Sequence, residues 1–352
     1  VKRLIQLAII LAATALLLVL FTRGISIAEV WRQIAAADVA MLIAAQTVAI
    51  GAYFLRAWRW QFLLRPLGPT RFVSALKATV IGFSASFLLP GRTGEVLRPY
   101  LLARREGFSV VSTITTVVLE RILDMIGVLL LFASVVIVAR PQPTAENAGI
   151  FRAMQLGGLA AGAISIAAFV VLMLLAKFPA LARRIVMRIA GAVSPRVGEK
   201  LGGLAGTFAD GLAVLRNAKD AAAALAGAFP IWLCSAASIW FVSEAFGLGI
   251  PVSGSMLMVM LLVLGIAVPT PGGVGGVHYA FRFGATALYA AADDRAVGAA
   301  IVFHAMTVVP ISLLGLVFAA AEGLNMRGLR TVASTVAASR GVPNVEPAVS
   351  PR

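Results

Sequence analysis

The residues best placed to do chemistry in this chain are ionisable groups set inside apolar sequence. "LERILDM" carries Glu120, Arg121 and Asp124 within a 32-residue apolar stretch, Phe108–Ala139. Glu120 and Asp124 are four apart, so on a helix both carboxylates point the same way. Upstream, "LLPGRTGEVLRPYLLARRE" (88–106) sets four arginines and two glutamates behind an apolar run. Arg92, Glu95 and Arg98 follow one another there at intervals of three. That spacing puts Glu95 and Arg98 on one helical face, with Arg92 just ahead. A charge at mid-membrane costs at least about 2.5–3.5 kcal/mol on insertion scales, so it faces a partner or water. The spacing therefore predicts pairing of Glu120 and Asp124 with Arg92 and Arg98 across a polar cavity. The alternative is an ion-pair network that only holds helices together. Arginine also grips phosphate bidentately, which gives such a cavity a natural ligand class.

Other chemistries lack their residues. Cys234 is the single cysteine and His278 and His304 are the two histidines, so no disulfide and no Cys/His metal cluster is expected. The chain has no G-x-x-x-x-G-K-[ST], G-x-S-x-G or H-E-x-x-H. No catalytic residue, metal or cofactor is assigned, and the chain is expected to be transporter-like rather than an enzyme. His278 and His304 each sit in apolar sequence. If they share a cavity they are a proton-sensitive pair. Arg282, one turn after His278, is expected on the same face. Asp293 and Asp294 read as a loop cap rather than a metal site.

The elements that must position these groups are membrane helices. Of 352 residues, 60% are hydrophobic and 13% charged, against about 25% charged in soluble domains. The mean hydropathy is +0.96. The net charge of +15 fits cytoplasmic loops and anionic headgroups rather than nucleic acid. Uncharged runs predict spans at Leu4–Thr22, Val39–Leu55, Ala153–Ala176, Ala221–Ser243 and Ala296–Ala321, the last kinked at Pro310. "SIAEVWRQIAAA" puts Ile27, Val30, Trp31 and Ile34 on one face of an interfacial helix. In "RAWRW", Arg56 and Arg59 suit the cytoplasm and Trp58 and Trp60 the interface. A single domain covers 1–325, including a basic segment, 177–219, whose start suits the membrane surface. The tail 326–352 is expected to be cytoplasmic and partly disordered.

Two stretches break the helical pattern in the same way. "PGRTGE" (Pro90, Gly91, Gly94) matches "PGGVGG" (Pro271, Gly272, Gly273, Gly275, Gly276) as P-G-x-x-G, each between apolar runs. Keeping Lys2, Arg3, the basic 56–77 region and the 177–219 segment on the cytoplasmic side requires 74–106 to enter from that side and return. The same count places Asp293 and Asp294 outside and both termini inside. The 252–291 region then enters from outside, either as a re-entrant hairpin or as two full crossings. Opposed broken hairpins are the build of an inverted repeat, with helix starts after Gly94 and Gly276 aimed at a cavity. The fold class expected is an all-α polytopic bundle with two broken hairpins.

Taken together, "LRAWRWQFLL", "LLPGRTGEVLRPYLLARREG", "LERILDMIGVLLL" and "PTPGGVGG" resemble the transmembrane domain of lysylphosphatidylglycerol synthases and its stand-alone relatives, over about 1–325. The resemblance implies that Arg92, Gly94, Glu95, Arg98, Glu120, Arg121 and Asp124 are the family's charged motif and Pro271, Gly272, Gly273 and Gly275 its second turn. It implies a lipid translocase of the bacterial inner membrane, acting on an anionic phospholipid or other envelope lipid. Substrate contact would fall to Arg92, Glu95, Arg98, Glu120, Arg121, Asp124 and His278. A membrane-embedded enzyme on a lipid-linked substrate, or a structural subunit of a lipid pathway, are the alternatives. Self-association or a partner enzyme is left open. Two positions depart from the family: His278 stands where a Glu is usual and His304 near where an Arg is. The synthases' aminoacyl-transferase domain has no counterpart in these 352 residues.

Overall fold

The computed structural model describes residues 12, 14–89, 93–138, 148–192, 194–268 and 270–323. Pro90, Gly91, Arg92 and the 326–352 tail, all singled out above, lie outside the described residues. The rest is helical: α1 (Thr14–Thr22), α2 (Ile27–Ala35), α3 (Val39–Leu64), α4 (Phe72–Leu88), α5 (Gly94–Glu106), α6 (Val110–Val138), α7 (Ala148–Lys177), α8 (Pro179–Gly191), α9 (Pro195–Gly211), α10 (Ala218–Ala226), α11 (Ala228–Ala245), α12 (Val252–Ala267), α13 (Gly276–Tyr289) and α14 (Asp293–Ala321). Side-chain caps fix several starts. Asp38 accepts from the Ala40 and Met41 N–H groups, and Asn217 from Lys219.

Among the described residues α3, α7, α14 and the α10–α11 pair are long and apolar enough to cross a membrane. The bent pair α1 and α2, at 79°, makes a fifth candidate. This is an integral membrane protein of the all-α polytopic class. α6 has 29 residues, about 43 Å at the helical rise, which is span length, but its three charges set it apart from those apolar helices. By contrast α4 and α12 have 17 and 16 residues, about 25 Å each, short of a hydrocarbon core of about 30 Å. α5 and α13 are shorter still. Each glycine-broken region is thus a hairpin of two short arms, a form that fits the re-entrant alternative for 252–291.

α14 fixes how the hairpins face. Glu322, at its end, meets the mouth of the first hairpin: Arg105 Nη1 at 2.5 Å and Lys77 Nζ at 3.9 Å. Its start follows the mouth of the second hairpin after three residues, and Asp293 pairs with Arg282 of α13 at 2.9 Å. A 29-residue helix separates the two mouths, so the hairpins enter from opposite sides. The second hairpin's tip meets the end of α4 between them. A Cβ on Gly272 would stand 3.1 Å from the Phe87 carbonyl at the end of α4. The flanking helices exchange partners in the same sense: α3 packs on α11, α14 on α4, and α6 on α12. The inverted repeat expected from the P-G-x-x-G echo is present in the packing.

Each hairpin closes on a pair of glycines. A Cβ on Gly82 would lie 3.1 Å from the Gly94 carbonyl, and one on Gly265 would lie 2.5 Å from the Gly276 carbonyl. Added at Gly94 or Gly276, it would overlap the carbonyl oxygen of Gly82 or Gly265. Backbone thus touches backbone, and no side chain can be inserted between the arms.

Several expectations change. The basic segment is helical: α8 and α9 form a hairpin with Gly198 against Gly191 and Gly202 against Met187. Leu181, Ile185 and Ile189 form its exposed apolar stripe, as a surface helix requires. On α2, Val30 and Ile34 pack inward while Ile27 and Trp31 are exposed, so the four do not share one environment. α14 continues through Pro310, and Asp293 and Asp294 lie in its first turn rather than capping it.

Gly94→Ala and Gly276→Ala are each expected to lower the thermal midpoint of the detergent-purified protein, since overpacking costs about 1–3 kcal/mol. Gly203→Ala, with open space around it, should leave the midpoint unchanged or raised. Equal midpoints for all three would contradict the close-packed arms.

Candidate functional site

Three elements bring the ionisable groups together. α3 supplies Arg56 and Arg59, α5 supplies Arg98, and α6 supplies Glu120, Arg121 and Asp124. Arg98 forks onto Glu120, with Nη1 donating to Oε1 at 2.8 Å and Nη2 to Oε2 at 3.1 Å. Arg121 Nη2 donates to the same Oε1 at 2.7 Å and lies 3.4 Å from Asp124. Arg59 Nη2 stands 2.6 Å from Asp124 Oδ1 and 3.7 Å from Glu120, and Arg56 is 3.7 Å from Asp124. Arg59, Arg98, Glu120 and Asp124 are all buried.

The surroundings hold these groups in place. Arg98 lies over the Trp60 ring at 3.9 Å, and Trp60 Nε1 donates to Thr116 Oγ1 at 2.9 Å. This combines a cation–π contact with a satisfied indole. Arg56 sits between the Phe83 and Trp232 rings, 5.5 and 5.6 Å from their centroids. Gly82 admits the base of Arg98, and Gly227, where α10 meets α11, admits the stem of Arg59 at 3.2 Å.

The charges do not balance. Four guanidinium groups face two carboxylates, an excess of two positive charges among the described residues of the cluster. Glu95 bears on Arg121 electrostatically but its own side chain is exposed. Nor are the donors used up. Arg59 Nε, Nη1 and Nη2, Arg98 Nε and Arg121 Nε are buried without a hydrogen-bond partner. The 2.6 Å approach of Arg59 to Asp124 is therefore too oblique for a hydrogen bond. Asp124 Oδ1 and Oδ2 are likewise buried without a hydrogen-bond partner, so the cluster holds both unused donors and unused acceptors, with the donors in excess.

Placement of the predicted residues is mixed. Glu120 meets Arg98 as expected. Asp124 meets Arg59 instead, which sequence reasoning had assigned to the cytoplasm together with Arg56. Trp60 is buried, not interfacial. Glu95 and Arg98 do not share an environment, one exposed and the other buried. Arg59 was missed because "RAWRW" follows an apolar run at the distance where a span should end. The available signal was the count of charges: α6 carries two carboxylates at depth and one local arginine.

His278 belongs to a different place. Its ring is 4.5 Å from that of His304 and 5.1 Å from Phe21, at the second hairpin's tip. Arg282, one turn on, reaches the same residue of α1, Phe21, as expected. It donates to Asp293 and to the Leu20, Phe21 and Arg23 carbonyls, closing the end of α1. No group of three or more metal-ligating residues occurs among the described residues.

Residues 3–315 match the family described as the lysylphosphatidylglycerol synthase TM region. A glycosyltransferase, AglD of Haloferax volcanii, is 28% identical over 119 residues, which is 34% of this chain and 19% of that protein. The chain thus matches about a fifth of that relative's length.

Removing one partner of a buried ion pair costs about 3–5 kcal/mol, whereas replacing both by apolar groups is often neutral. Asp124→Leu is therefore expected to reduce the folded fraction in detergent sharply. Arg59→Met combined with Asp124→Leu should recover much of it. A double variant no better folded than Asp124→Leu alone would show that the two residues are not coupled.

Proposed function

The chain belongs to the lysylphosphatidylglycerol synthase TM-region family, and from that premise we propose that it is a lipid translocase of the bacterial inner membrane. The observation that carries this reading is the buried guanidinium cluster with two positive charges in excess and five unpartnered donor nitrogens. An anionic headgroup supplies both the charge and the acceptors. Its tails stay in the bilayer, since the cluster lies between helices that face lipid on their other sides.

The working groups differ from those the spacing favoured. Both Nη groups of Arg98 are occupied by Glu120, so Arg98 positions the carboxylate and leaves Nε for a ligand. Arg59 and Arg121 hold the phosphate. The Arg121 side chain, 38% exposed, is the point of entry, with Glu95 beside it. Glu120 accepts from Arg98 and Arg121, while Asp124 is held by charge alone, beside Arg59. Rocking of one hairpin-bearing half against the other, across the contact of the second tip with the end of α4, would alternate access. With no G-x-x-x-x-G-K-[ST] in these residues, transport is then downhill, ion-coupled or dependent on a partner. Arg65, Arg71 and the basic 177–219 segment support cytoplasmic termini.

The likeness to a protein named a glycosyltransferase supports a second reading, action on a lipid-linked sugar. Purified protein in liposomes with headgroup-labelled phosphatidylglycerol separates the two. The translocase reading expects label to cross the bilayer. Arg59→Gln and Arg121→Gln should each slow it about tenfold or more, the worth of a charge-assisted hydrogen bond. Unchanged rates in both folded variants would remove the assigned site. Turnover of a lipid-linked sugar without label movement would favour the enzyme.

A further inference from the structure

The histidine pair is used by none of the above. His278 is in the first turn of α13, and its Nδ1 accepts the Gly275 N–H at 3.3 Å. The acceptance requires a lone pair on Nδ1, so the neutral ring carries its proton on Nε2. Gly275 closes a tip whose glycines 272, 273 and 275 all have positive φ. That tip is the part of the second hairpin lying on the Phe87 carbonyl of the first. His304, from the middle of α14, lies with its ring 4.5 Å from that of His278. Its Cε1 is 3.7 Å from where a Gly273 Cβ would be. Both rings are buried, while Pro271 is exposed and residues 272–274 are half-exposed. One layer of glycine backbone separates the imidazoles from the surface.

From this geometry we infer that His278 and His304 form a single proton-binding site that latches the second hairpin tip when neutral and releases it when protonated. Two imidazolium rings at this distance in a low-dielectric site repel strongly, so the pair takes one proton. Among the described residues neither histidine forms an ion pair. Among the described residues α12 and α1 contain no titratable group, Tyr279 of α13 stacks on Phe283, and Arg282 is paired with Asp293. On α14, Asp293, Asp294 and Arg295 precede His304 by nine or more residues. On α4, Lys77 is engaged by Glu322; on α2, Glu29 pairs with Arg32.

A proton on His278 Nδ1 removes the acceptor of the Gly275 N–H. A proton on His304 places a cation beside the N-terminal end of α13, where the helix dipole disfavours positive charge. Either placement weakens the tip. By linkage, opening the tip raises the pair's proton affinity to the same degree. If the chain moves lipid between leaflets, this is where a proton gradient would act, yet the latch itself depends on no lipid.

The test uses the full chain in nanodiscs, with Cys234→Ser and a nitroxide label on Val274→Cys. The mobile fraction of the label is expected to rise roughly threefold between about pH 8 and about pH 4. His278→Gln keeps a carbonyl acceptor for Gly275 and does not titrate, and His304→Gln does not titrate. The double variant should show no pH response, and His304→Gln alone a shifted midpoint. A pH-independent label in the wild-type background, or an undiminished response in the double variant, overturns the inference. Should the double variant not fold, an unmoved midpoint in His304→Gln does the same. Because no transport is read, a chain that moves no lipid yet titrates keeps the latch and loses only the translocase.

Discussion

The structure depends on neutralising two carboxylates that α6 carries into the membrane. Glu120 and Asp124 lie about three and four turns from the start of a helix of span length, too deep to reach water. Their charge is met by arginines from two other elements, Arg98 of α5 and Arg59 of α3. α5 is short, contains Pro99 and is polar for a membrane segment, so it has little apolar surface to hold it in place. The bidentate Arg98–Glu120 pair is what fixes it against α6. Placing that arm places the first hairpin, and with it the surface on which the second tip rests.

The two halves solve the same mechanical problem identically. Each hairpin puts irregular backbone inside the membrane, which is tolerated only where protein or a wet cavity satisfies it. Each closes its arms by direct backbone contact at a glycine pair, Gly82 with Gly94 and Gly265 with Gly276. What the halves hold beside that hinge differs. The first carries a cluster rich in arginine with donors to spare, and the second carries two neutral-capable imidazoles under its tip. The proposed anion site thus lies in one half and the proposed proton site in the other. The repeat thus supplies a symmetric frame for two unlike sites.

Much of this was legible in residue order. Charges within an apolar run announce burial, and Pro-Gly-x-x-Gly between apolar runs announces a broken helix. Parity of basic segments sufficed to orient the hairpins, and α14 joins their mouths as that count required. The errors share a cause. Arg56, Arg59 and Trp60 looked like the end of a span because the hydropathy of α3 falls there. A run of 26 helical residues can carry its arginines inward when another helix offers carboxylates at the same height. Glu95 was grouped with Arg98 by spacing, but the first turn of a helix at a hairpin tip is splayed between two environments.

The sequence by itself determined the class, the number of broken segments, their opposed entry and the carboxylates that needed partners. These follow from local hydrophobicity, glycine and proline chemistry, and charge counting, none of which requires knowing what touches what. Only the tertiary structure decided which arginine answers which carboxylate, that Arg59 is left with unused donors, and that His278 and His304 meet. Those outcomes depend on the depth and rotation of helices far apart in the chain. Depth and rotation are set by where glycine lets backbones approach, and no spacing within a single helix records that.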